Sequence, residues 1–260
     1  MKYDIFYIDA FTDELFTGNP AAVIFSDLID PALMQNIAAE NNLSETAFIR
    51  EDNGIYYIRW FSPYCEIDLC GHATLASAYV FFNFIKPEEK VFNVHSLKNG
   101  ILKVTQNNEL LFLDFPSDQL QLFDQISLIE SAIGLKPIEA FKGRDDVLAI
   151  LESEDAIKNL NVDFESLNQI DCRGLIVSSK GNNYDFVSRF FAPATGVDED
   201  PVTGSAHTTL TPYWSQKLDK KNLVAAQLST RGGVLYCEDK EERTIIGGKA
   251  TLYLKGKIFI

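Results

Sequence analysis

The sequence has few cysteines, few basic residues and no long apolar run, and each shortage excludes a class of protein. Only four of its 260 residues are cysteines. That is too few for the disulfide framework of a secreted scaffold, so free thiols and a cytoplasmic location are expected. Lys and Arg number 23 against 37 Asp and Glu, which gives a formal net charge of −14. A nucleic-acid partner is not expected, since phosphate binding needs a basic surface.

Motifs for membrane insertion, nucleotides and metals are also missing. No apolar stretch approaches the roughly 20 residues that span a bilayer, so no membrane partner is expected. Neither a glycine-rich dinucleotide fingerprint nor a phosphate-loop lysine motif occurs, and Cys65 and Cys70 form a C-x4-C spacing without a second pair. The sequence therefore predicts no cofactor and no metal ligand set.

Strand-like and helix-like patterns alternate along the chain, which is typical of α/β or α+β proteins. Asp30 and Pro31 predict a helix start, because a capping carboxylate precedes a proline at the first helical position. Strands are predicted at residues 45–50 and 54–61, and a helix from Gly71 to about residue 84. The chain is thus expected to contain a mixed sheet with a few helices.

The pattern resets near Pro116, and an internal echo supports two lobes. IRWFSP at residues 58–63 resembles SRFFAP at 188–193, with the two arginines 130 residues apart, and each copy leads through an acidic loop to a glycine. Two repeats at so long a period indicate pseudo-twofold-related lobes. We predict an N-terminal lobe over residues 1–115 and a C-terminal lobe over 116–248. The last strand, about residues 249–260, is expected to pack back on the N-terminal lobe.

The two glycines at the ends of these loops, Gly71 and Gly204, are each predicted to open a helix. The first turn of a helix leaves backbone N–H groups unpaired and carries a partial positive charge, and glycine lets a ligand approach closely. Each helix start would then suit an anion such as a carboxylate, although both could be ordinary loop-to-helix turns. On an acidic protein, an anionic substrate needs local donors of this kind.

Glu45 is the first candidate for catalysis. If residues 43–50 form a strand, Leu43, Glu45, Ala47 and Ile49 share one face. A lone carboxylate on an apolar face is expected to have a raised pKa and to suit general acid/base catalysis. The alternative is an exposed glutamate at the start of a strand.

Several other polar residues lie close to the two predicted helix starts. His72 follows Gly71 and is expected to be neutral, because a helix N-terminus disfavours imidazolium. Cys70 could be a low-pKa thiolate there or a small buried hydrophobic residue. Ser205 and Thr203 offer hydroxyl groups at the second start, and Asp200 lies in an acidic loop that could equally be solvated.

Four sequence blocks together resemble the phenazine-biosynthesis PhzF-like family. They are DAFT through GNPA at residues 9–21, LSETAF at 43–48, DLCGHAT at 68–74 and DEDPVTGSA at 198–206. The blocks span most of the chain, and the resemblance implies the diaminopimelate-epimerase-like fold. In that α+β fold each of two lobes is a mixed β-sheet curled around a central helix, with the site in the cleft between them.

The resemblance also implies roles for individual residues. It makes Glu45 the proton shuttle of an isomerisation, with His72, Asp200 and Ser205 in support. The helix-end positions expected to bind substrate are Cys70, Gly71, Ala73, Thr203 and Gly204. Related epimerases use two facing cysteines, whereas here Thr203 stands where the second would be, so a two-thiol racemase is disfavoured.

The sequence thus predicts a cofactor-independent isomerase that moves a proton on a small carboxylate-bearing substrate. A second interpretation is a racemase or epimerase that uses Glu45 with Cys70 from opposite faces. A third is a non-catalytic small-molecule-binding protein. Because related proteins are often homodimers, a homodimer is an additional expectation.

Overall fold

The computed structural model describes residues 2–260, which divide into two compact units. The first unit contains the residues up to Asp114 together with Gly247–Ile260, and the second is the continuous segment Phe115–Ile246. No helix among residues 2–260 is long and apolar enough to cross a membrane.

The chain contains many short strands and six α-helices within the described residues. In chain order the strands are β1 (Lys2–Ala10), β2 (Asn19–Phe25), β3 (Glu45–Asp52), β4 (Ile55–Phe61), β5 (Glu66–Ile67), β6 (Val91–Ser96), β7 (Gly100–Asn107), β8 (Leu110–Pro116), β9 (Gln121–Leu122), β10 (Glu139–Lys142), β11 (Val147–Ile150), β12 (Leu175–Lys180), β13 (Phe186–Phe191), β14 (Asn222–Gln227), β15 (Gly233–Lys240), β16 (Arg243–Gly248) and β17 (Ala250–Phe259). The helices are α1 (Pro31–Asn41), α2 (Gly71–Val80), α3 (Ile126–Ile133), α4 (Glu154–Lys158), α5 (Phe164–Leu167) and α6 (Ala206–Leu218).

The first unit is a mixed sheet in the order β17–β1–β2–β3–β4–β6–β7–β8, with the short β5 also paired to β4. The β2–β3 and β4–β6 pairs are parallel and the others are antiparallel. Met34 and Ile37 of α1 pack with Ile24 and Phe48 on one side of the sheet. Helix α2 packs against β1, β2 and β3 and is buried almost all round, as expected for the central helix of a lobe.

The second unit is a mixed sheet in the order β9–β10–β11–β12–β13–β14–β15. The β11–β12 and β13–β14 pairs are parallel. Ile129 and Ile133 of α3 join Val147, Val177 and Val187 of the strands in one buried cluster. Helix α6 packs against β14 and β15.

The two units share one connectivity. In both units neighbouring strand pairs alternate between antiparallel and parallel, and each series begins with an antiparallel pair. The series is β1–β2–β3–β4–β6–β7 in the first unit and β10–β11–β12–β13–β14–β15 in the second. The echoed arginines behave alike: Arg59 forms a bidentate pair with Glu66 at 2.7 Å, and Arg189 pairs with Glu199 at 2.6 and 3.0 Å. Each guanidinium also lies over the phenylalanine two residues later, at 5.3 and 4.9 Å. The internal echo is therefore a structural repeat.

The helical run that begins at Gly71 reaches Ile85, close to the predicted end near residue 84. Its last five residues, Phe81–Ile85, form a π-helical turn, which closes with a bond from Lys86 N–H to the Phe81 carbonyl at 2.8 Å. One local prediction needs correction. Leu43 precedes β3, so it does not share a strand face with Glu45; it packs instead with the cluster beside α1.

Candidate active site

Glu45 is the first residue of β3, and its place follows from the helix before it. Helix α1 is capped by Asn42, whose left-handed conformation (φ 49°) is one that asparagine adopts more readily than most residues. Only two residues then separate this cap from β3, where Glu45 stands beside Ala21 of β2 in parallel register. The turn therefore sets the carboxylate at the start of a strand inside the sheet.

Glu45, His72 and Cys70 form a compact cluster. Glu45 Oε2 lies 2.8 Å from His72 Nε2, and the two side chains are only 16% and 7% exposed. The contact is therefore a close, largely buried ion pair. The Cys70 Sγ atom lies 3.5 Å from His72 Nδ1 and 3.8 Å from Nε2. The imidazole thus contacts both other groups.

Asn19 makes a further contact with the histidine ring. It is the first residue of β2, is fully buried, and places its side-chain amide 3.2 Å from His72 Nδ1. The Asn19 amide contacts Nδ1 while Glu45 contacts Nε2, so the two neighbours hold the ring from both of its nitrogens.

His72 differs from the neutral histidine that the sequence predicts. Burial alone would lower its pKa, but the Glu45 carboxylate in contact with the ring favours the charged form, and the pKa is raised well above 6.5. The expectation of a neutral ring considered the helix end and not the carboxylate 2.8 Å away. The ring is charged because a carboxylate in contact favours the imidazolium more strongly than the partial positive charge of a helix N-terminus disfavours it.

Cys70 is a buried thiol and not the low-pKa thiolate that was one of two predicted states. Burial raises its pKa to about 11, and the charge of Glu45 adds to the increase. It precedes α2 as the N-cap residue and makes no side-chain capping bond. The first helical bond runs from Thr74 N–H to the Cys70 carbonyl at 3.1 Å, so the N–H groups of Gly71 and His72 lie before the regular ladder.

In the second unit, Asp200 and Thr203 are joined by a network of hydrogen bonds. Thr203 Oγ1 donates to Asp200 Oδ2 at 2.5 Å, and its backbone N–H donates to Gln227 Oε1 at 2.8 Å. Gln227 Nε2 in turn donates to the Asp200 carbonyl at 2.8 Å. The buried glutamine at the end of β14 thus holds the loop before α6 in one shape.

Helix α6 begins later than the sequence predicts. Its first residue is Ala206 and its N-cap is Ser205, while Gly204 lies in the preceding turn. The two helix starts are therefore not equivalent, since Gly71 is itself the first residue of α2. The backbone N–H of Thr203 is already bonded to Gln227 and is not a free donor for an anion.

Arg173 is a polar residue near this loop that the sequence did not single out. Its guanidinium forms a bidentate pair with the buried Asp146, with Nε 2.8 Å from Oδ1. The Nη2 group also donates to Ser205 Oγ at 3.1 Å, and the guanidinium lies over the Phe190 ring at 5.5 Å. Because Ser205 accepts from Arg173, its own hydroxyl hydrogen is directed to another acceptor.

Comparison with known proteins now identifies the chain's relatives. The family model for phenazine biosynthesis-like proteins, PhzC-PhzF, matches residues 8–256. The chain belongs to the PhzF family. An uncharacterized isomerase of Pseudomonas aeruginosa is 45% identical over 260 residues, covering 99% of each chain. A PhzF-family crystal structure from Enterococcus faecalis is 45% identical, with a TM-score of 0.97 and complete coverage of both chains.

The PhzF fold also extends to more distant proteins. A predicted epimerase of Pseudomonas aeruginosa has a TM-score of 0.78 at 17% identity and covers 99% of each chain, a likeness that shows the fold alone. Together with the mixed sheets, this confirms the predicted α+β class and the diaminopimelate-epimerase-like fold. The resemblance read from the four sequence blocks is confirmed with it.

The predicted residues of this PhzF protein fall into one group in each unit. Glu45, Cys70 and His72 are in contact, with Gly71 and Ala73 in the same first helical turn. In the second unit the predicted residues are Asp200, Thr203, Gly204 and Ser205, which share one loop.

Three residues that contact these groups were missed: Asn19, Arg173 and Gln227. Asn19 lies in the GNPA block, which was a usable signal. Arg173 and Gln227 stand far from any motif, and only the folded chain brings them to Ser205 and Thr203.

Proposed function

We propose that this PhzF-family protein is an isomerase in which Glu45 transfers a proton on a small carboxylate-bearing substrate, with no bound cofactor. The observation that carries the proposal is the 2.8 Å contact between Glu45 Oε2, at the start of β3, and His72 Nε2, in the first turn of α2. The isomerase name carried by the relative that is 45% identical supports the reaction class.

The mechanism begins with a charged pair. His72, whose pKa is raised by the Glu45 carboxylate in contact with it, keeps a positive charge beside that carboxylate. Glu45 accepts a proton from a C–H bond that a neighbouring group of the substrate has made acidic. It then returns that proton to another carbon on the same face. His72 stabilises the carboxylate form of Glu45 before and after the transfer. The contact with Asn19 holds the imidazole ring in place beside that carboxylate.

Binding of the substrate carboxylate is assigned to the start of α2. The N–H groups of Gly71 and His72 precede the first helical bond, and that of Ala73 lies by the Cys70 thiol. Such groups suit an anion, and they supply the local attraction that a protein of net charge −14 needs.

The second unit is proposed to contribute polar groups to substrate binding. Because Ser205 accepts a hydrogen bond from Arg173, its own hydroxyl hydrogen would be donated to an oxygen of the substrate. Asp200, held by Thr203 and Gln227, would accept from a hydroxyl or amino group. Thr203 and Gly204 shape the backbone of that loop.

The racemase alternative, which needs Glu45 and Cys70 on opposite faces of one carbon, is less well supported. Two groups that each approach a carbon to within hydrogen-bond reach on opposite faces lie about 6 Å apart. The ligand atoms of Glu45 and Cys70 lie within 4.8 Å of each other. The Cys70 thiol, with a pKa raised to about 11, is also a poor base at neutral pH.

The experiment is deuterium incorporation in D2O, followed by NMR with a panel of cyclic and linear α-amino carboxylates. We expect Glu45→Gln to slow exchange by about 10²- to 10⁴-fold, the usual contribution of a positioned acid/base group. Glu51→Gln, which changes an exposed glutamate of the same strand, is the matched control and should exchange at the wild-type rate.

The other outcomes decide between the alternatives. Exchange that survives in Glu45→Gln but is lost in Cys70→Ser would transfer the chemistry to the thiol and favour the racemase. Binding of a panel compound by wild type, with no exchange in any variant, would favour the non-catalytic binding protein.

A further inference from the structure

The loop between β1 and β2, residues 11–18, has an unusual backbone conformation and leads directly into Asn19. Phe11 and Phe16 have positive φ angles of 65° and 70°. A left-handed backbone is unfavourable for residues with a Cβ atom, and for a bulky side chain it is a clear outlier. Such a conformation persists only where the surrounding structure holds it. The contacts of this loop therefore matter for the residues that follow it.

Phe16 is held through its backbone by a buried carboxylate. Its N–H donates to Asp9 Oδ2 at 3.0 Å, and Asp9, on β1, is only 4% exposed. Phe16 itself is 66% exposed, and its ring meets that of Tyr253 edge to face with 5.7 Å between the centroids. Asp9, which the proposed proton transfer does not use, is thus the group that acts on the backbone of the left-handed residue.

The beginning of the loop is anchored by different contacts. The N–H groups of Phe11 and Thr12 both donate to the Lys249 carbonyl, at 2.8 and 3.2 Å. Thr17 Oγ1 lies 2.5 Å from Thr12 Oγ1 and donates to the Glu14 carbonyl at 2.9 Å. These contacts join the loop to β17 and to itself, whereas the bond to Asp9 joins Phe16 to β1.

The end of the loop transmits this conformation to the active-site cluster. Gly18 packs so closely on β1 that a Cβ atom there would collide with the Ala10 carbonyl oxygen. Ala10 is also the register partner of Asn19, the first residue of β2. Asn19 is fully buried, and its amide lies 3.2 Å from His72 Nδ1. The backbone at Phe16 is therefore only three positions from an amide that contacts His72.

We propose that Asp9 is a positioning residue: by accepting the Phe16 N–H it keeps this residue left-handed and so places the Asn19 amide against His72. Asp9 acts through the loop and touches neither the substrate nor the reacting atoms. Its effect on catalysis rests on the proposed function, in which His72 stabilises the Glu45 carboxylate. Its effect on the position of His72 is independent of that function and is measured without substrate.

The test is NMR of the full-length protein labelled with ¹³C-histidine, which simplifies the spectrum to three imidazole rings. His72 reports on positioning, and His95, on β6 of the same unit, reports on the fold of that unit. The variants are Asp9→Ala and Asp9→Asn. Glu14→Ala, which removes an exposed carboxylate of the same loop, is the matched control. Circular dichroism establishes that each variant is folded, and substrate deuterium exchange is measured on the same proteins.

We expect Asp9→Ala to shift and broaden the His72 signals, because the ring loses a fixed neighbour, and to leave the His95 signals unchanged. Asp9→Asn retains an oxygen that accepts the Phe16 N–H and should change the His72 signals less. With an exchanging substrate, Asp9→Ala should lower kcat on the order of 10- to 100-fold, since a misplacement of about 1 Å can cost 100-fold. KM should change little, and Glu14→Ala should match wild type in every measurement.

Phe16→Gly and Phe16→Val form a second test that leaves Asp9 in place. Both variants remove the exposed ring, but glycine adopts a positive φ at no steric cost, whereas a β-branched valine resists it. We expect Phe16→Val to change the His72 signals in the manner of Asp9→Ala, and Phe16→Gly to keep the wild-type signals. If Asp9→Ala does not fold, this pair decides the question alone.

Three results would each overturn the proposal: unchanged His72 signals in folded Asp9→Ala, equal changes in the His72 and His95 signals, or identical His72 signals in the two Phe16 variants. Exchange lost in Glu45→Gln but unaltered in Asp9→Ala would also overturn it and would keep the isomerase. The expected His72 changes in a protein that exchanges no compound would keep the positioning role and remove the isomerase assignment.

Discussion

His72 and His207 are both buried, yet their surroundings shift the pKa in opposite directions. The Glu45 carboxylate raises the pKa of His72, whereas burial lowers that of His207 to about 4 against a weaker opposing contact with the Thr203 carbonyl. His207 lies in α6 beside the Phe186 ring, and its Nδ1 atom is 2.9 Å from the Thr203 carbonyl oxygen. One histidine is therefore a charged partner and the other a neutral core residue.

We predict that His207 makes the protein less stable in acid. The unfolded chain binds a proton on this histidine near pH 6.5, and the folded chain only near pH 4. The contribution of His207 to the free energy of unfolding is therefore fully present above pH 6.5. It is lost as the pH falls toward 4, by up to about 1.4 kcal/mol per pH unit. Urea titrations of wild type and His207→Gln at several pH values measure it; parallel pH profiles would contradict the prediction.

His72→Gln is the contrasting variant. Since the pKa of His72 is raised in the folded protein, its contribution to the free energy of unfolding is fully present below pH 6.5. That contribution is lost as the pH rises through the pKa of the folded state. Its stability difference from wild type should therefore shrink toward alkaline pH, the reverse of the His207 profile.

Arg173 and Asp146 form a second residue-scale test. Asp146 is buried, and removing its partner in Arg173→Ala leaves an uncompensated carboxylate. We expect a loss of about 3 to 5 kcal/mol in the free energy of unfolding, measured with urea. The double variant Arg173→Met, Asp146→Leu should recover most of that loss, because it removes both charges.

The same double variant separates stability from positioning. If Arg173 orients the Ser205 hydroxyl, the variant will be stable but will exchange substrate deuterium more slowly than wild type. A stable double variant with the wild-type rate would leave Arg173 a purely structural residue.

At the scale of elements, the start of α1 illustrates how much a local pattern can determine. Asp30 Oδ1 accepts a hydrogen bond from Ala32 N–H at 3.0 Å, with Pro31 at the first helical position, as the sequence predicts. The strands at Glu45–Asp52 and Ile55–Phe61 are likewise close to the predicted ranges. In each case the deciding interactions lie within a few residues of one another.

We predict that Asp30→Ala costs about 1 kcal/mol in the free energy of unfolding, because the Ala32 N–H loses its acceptor. Asp30→Asn retains an acceptor and should cost a few tenths of a kcal/mol. Chemical denaturation measures both. Equal losses in the two variants would show that the charge of Asp30 matters more than its capping bond.

Helix α6 marks the limit of such local patterns. Gly204 was predicted to open it, yet the chain makes one more turn before Ala206. The loop before that turn is held by Gln227, which lies 24 residues after Thr203 in sequence and bonds to the N–H and the hydroxyl group of Thr203. A partner this distant leaves no signal in the loop itself.

At the scale of the whole molecule, the first unit depends on the last strand of the chain. β17 pairs with β1 in antiparallel register from Lys2 with Phe259 to Ala10 with Ala250. The second unit is instead one continuous segment, Phe115–Ile246.

We predict that truncation after Lys249 destabilises the first unit selectively, because β1 loses the backbone partners that β17 supplies. Hydrogen exchange with mass spectrometry should show loss of protection in β1 and β2, with β12 and β13 still protected. Lys257→Ala, which removes only an exposed ion pair with Asp4, is the control and should leave protection unchanged. Uniform loss across both units would contradict the prediction.

The sequence by itself determined the fold class, the family and the internal repeat. Those features depend on local periodicity, on short motifs and on a direct echo between two segments, all of which are visible in one dimension. It also pointed to Glu45 and His72, because the carboxylate and the ring belong to such motifs.

Only the tertiary structure decided the chemical state of the site. The charge of His72, the protonated thiol of Cys70 and the contacts of Asn19, Arg173 and Gln227 depend on burial and on distances between residues far apart in the chain. A pKa is set by what surrounds a group in space. Residues that are 53 positions apart, such as Asn19 and His72, meet only when the sheet and the central helix have formed.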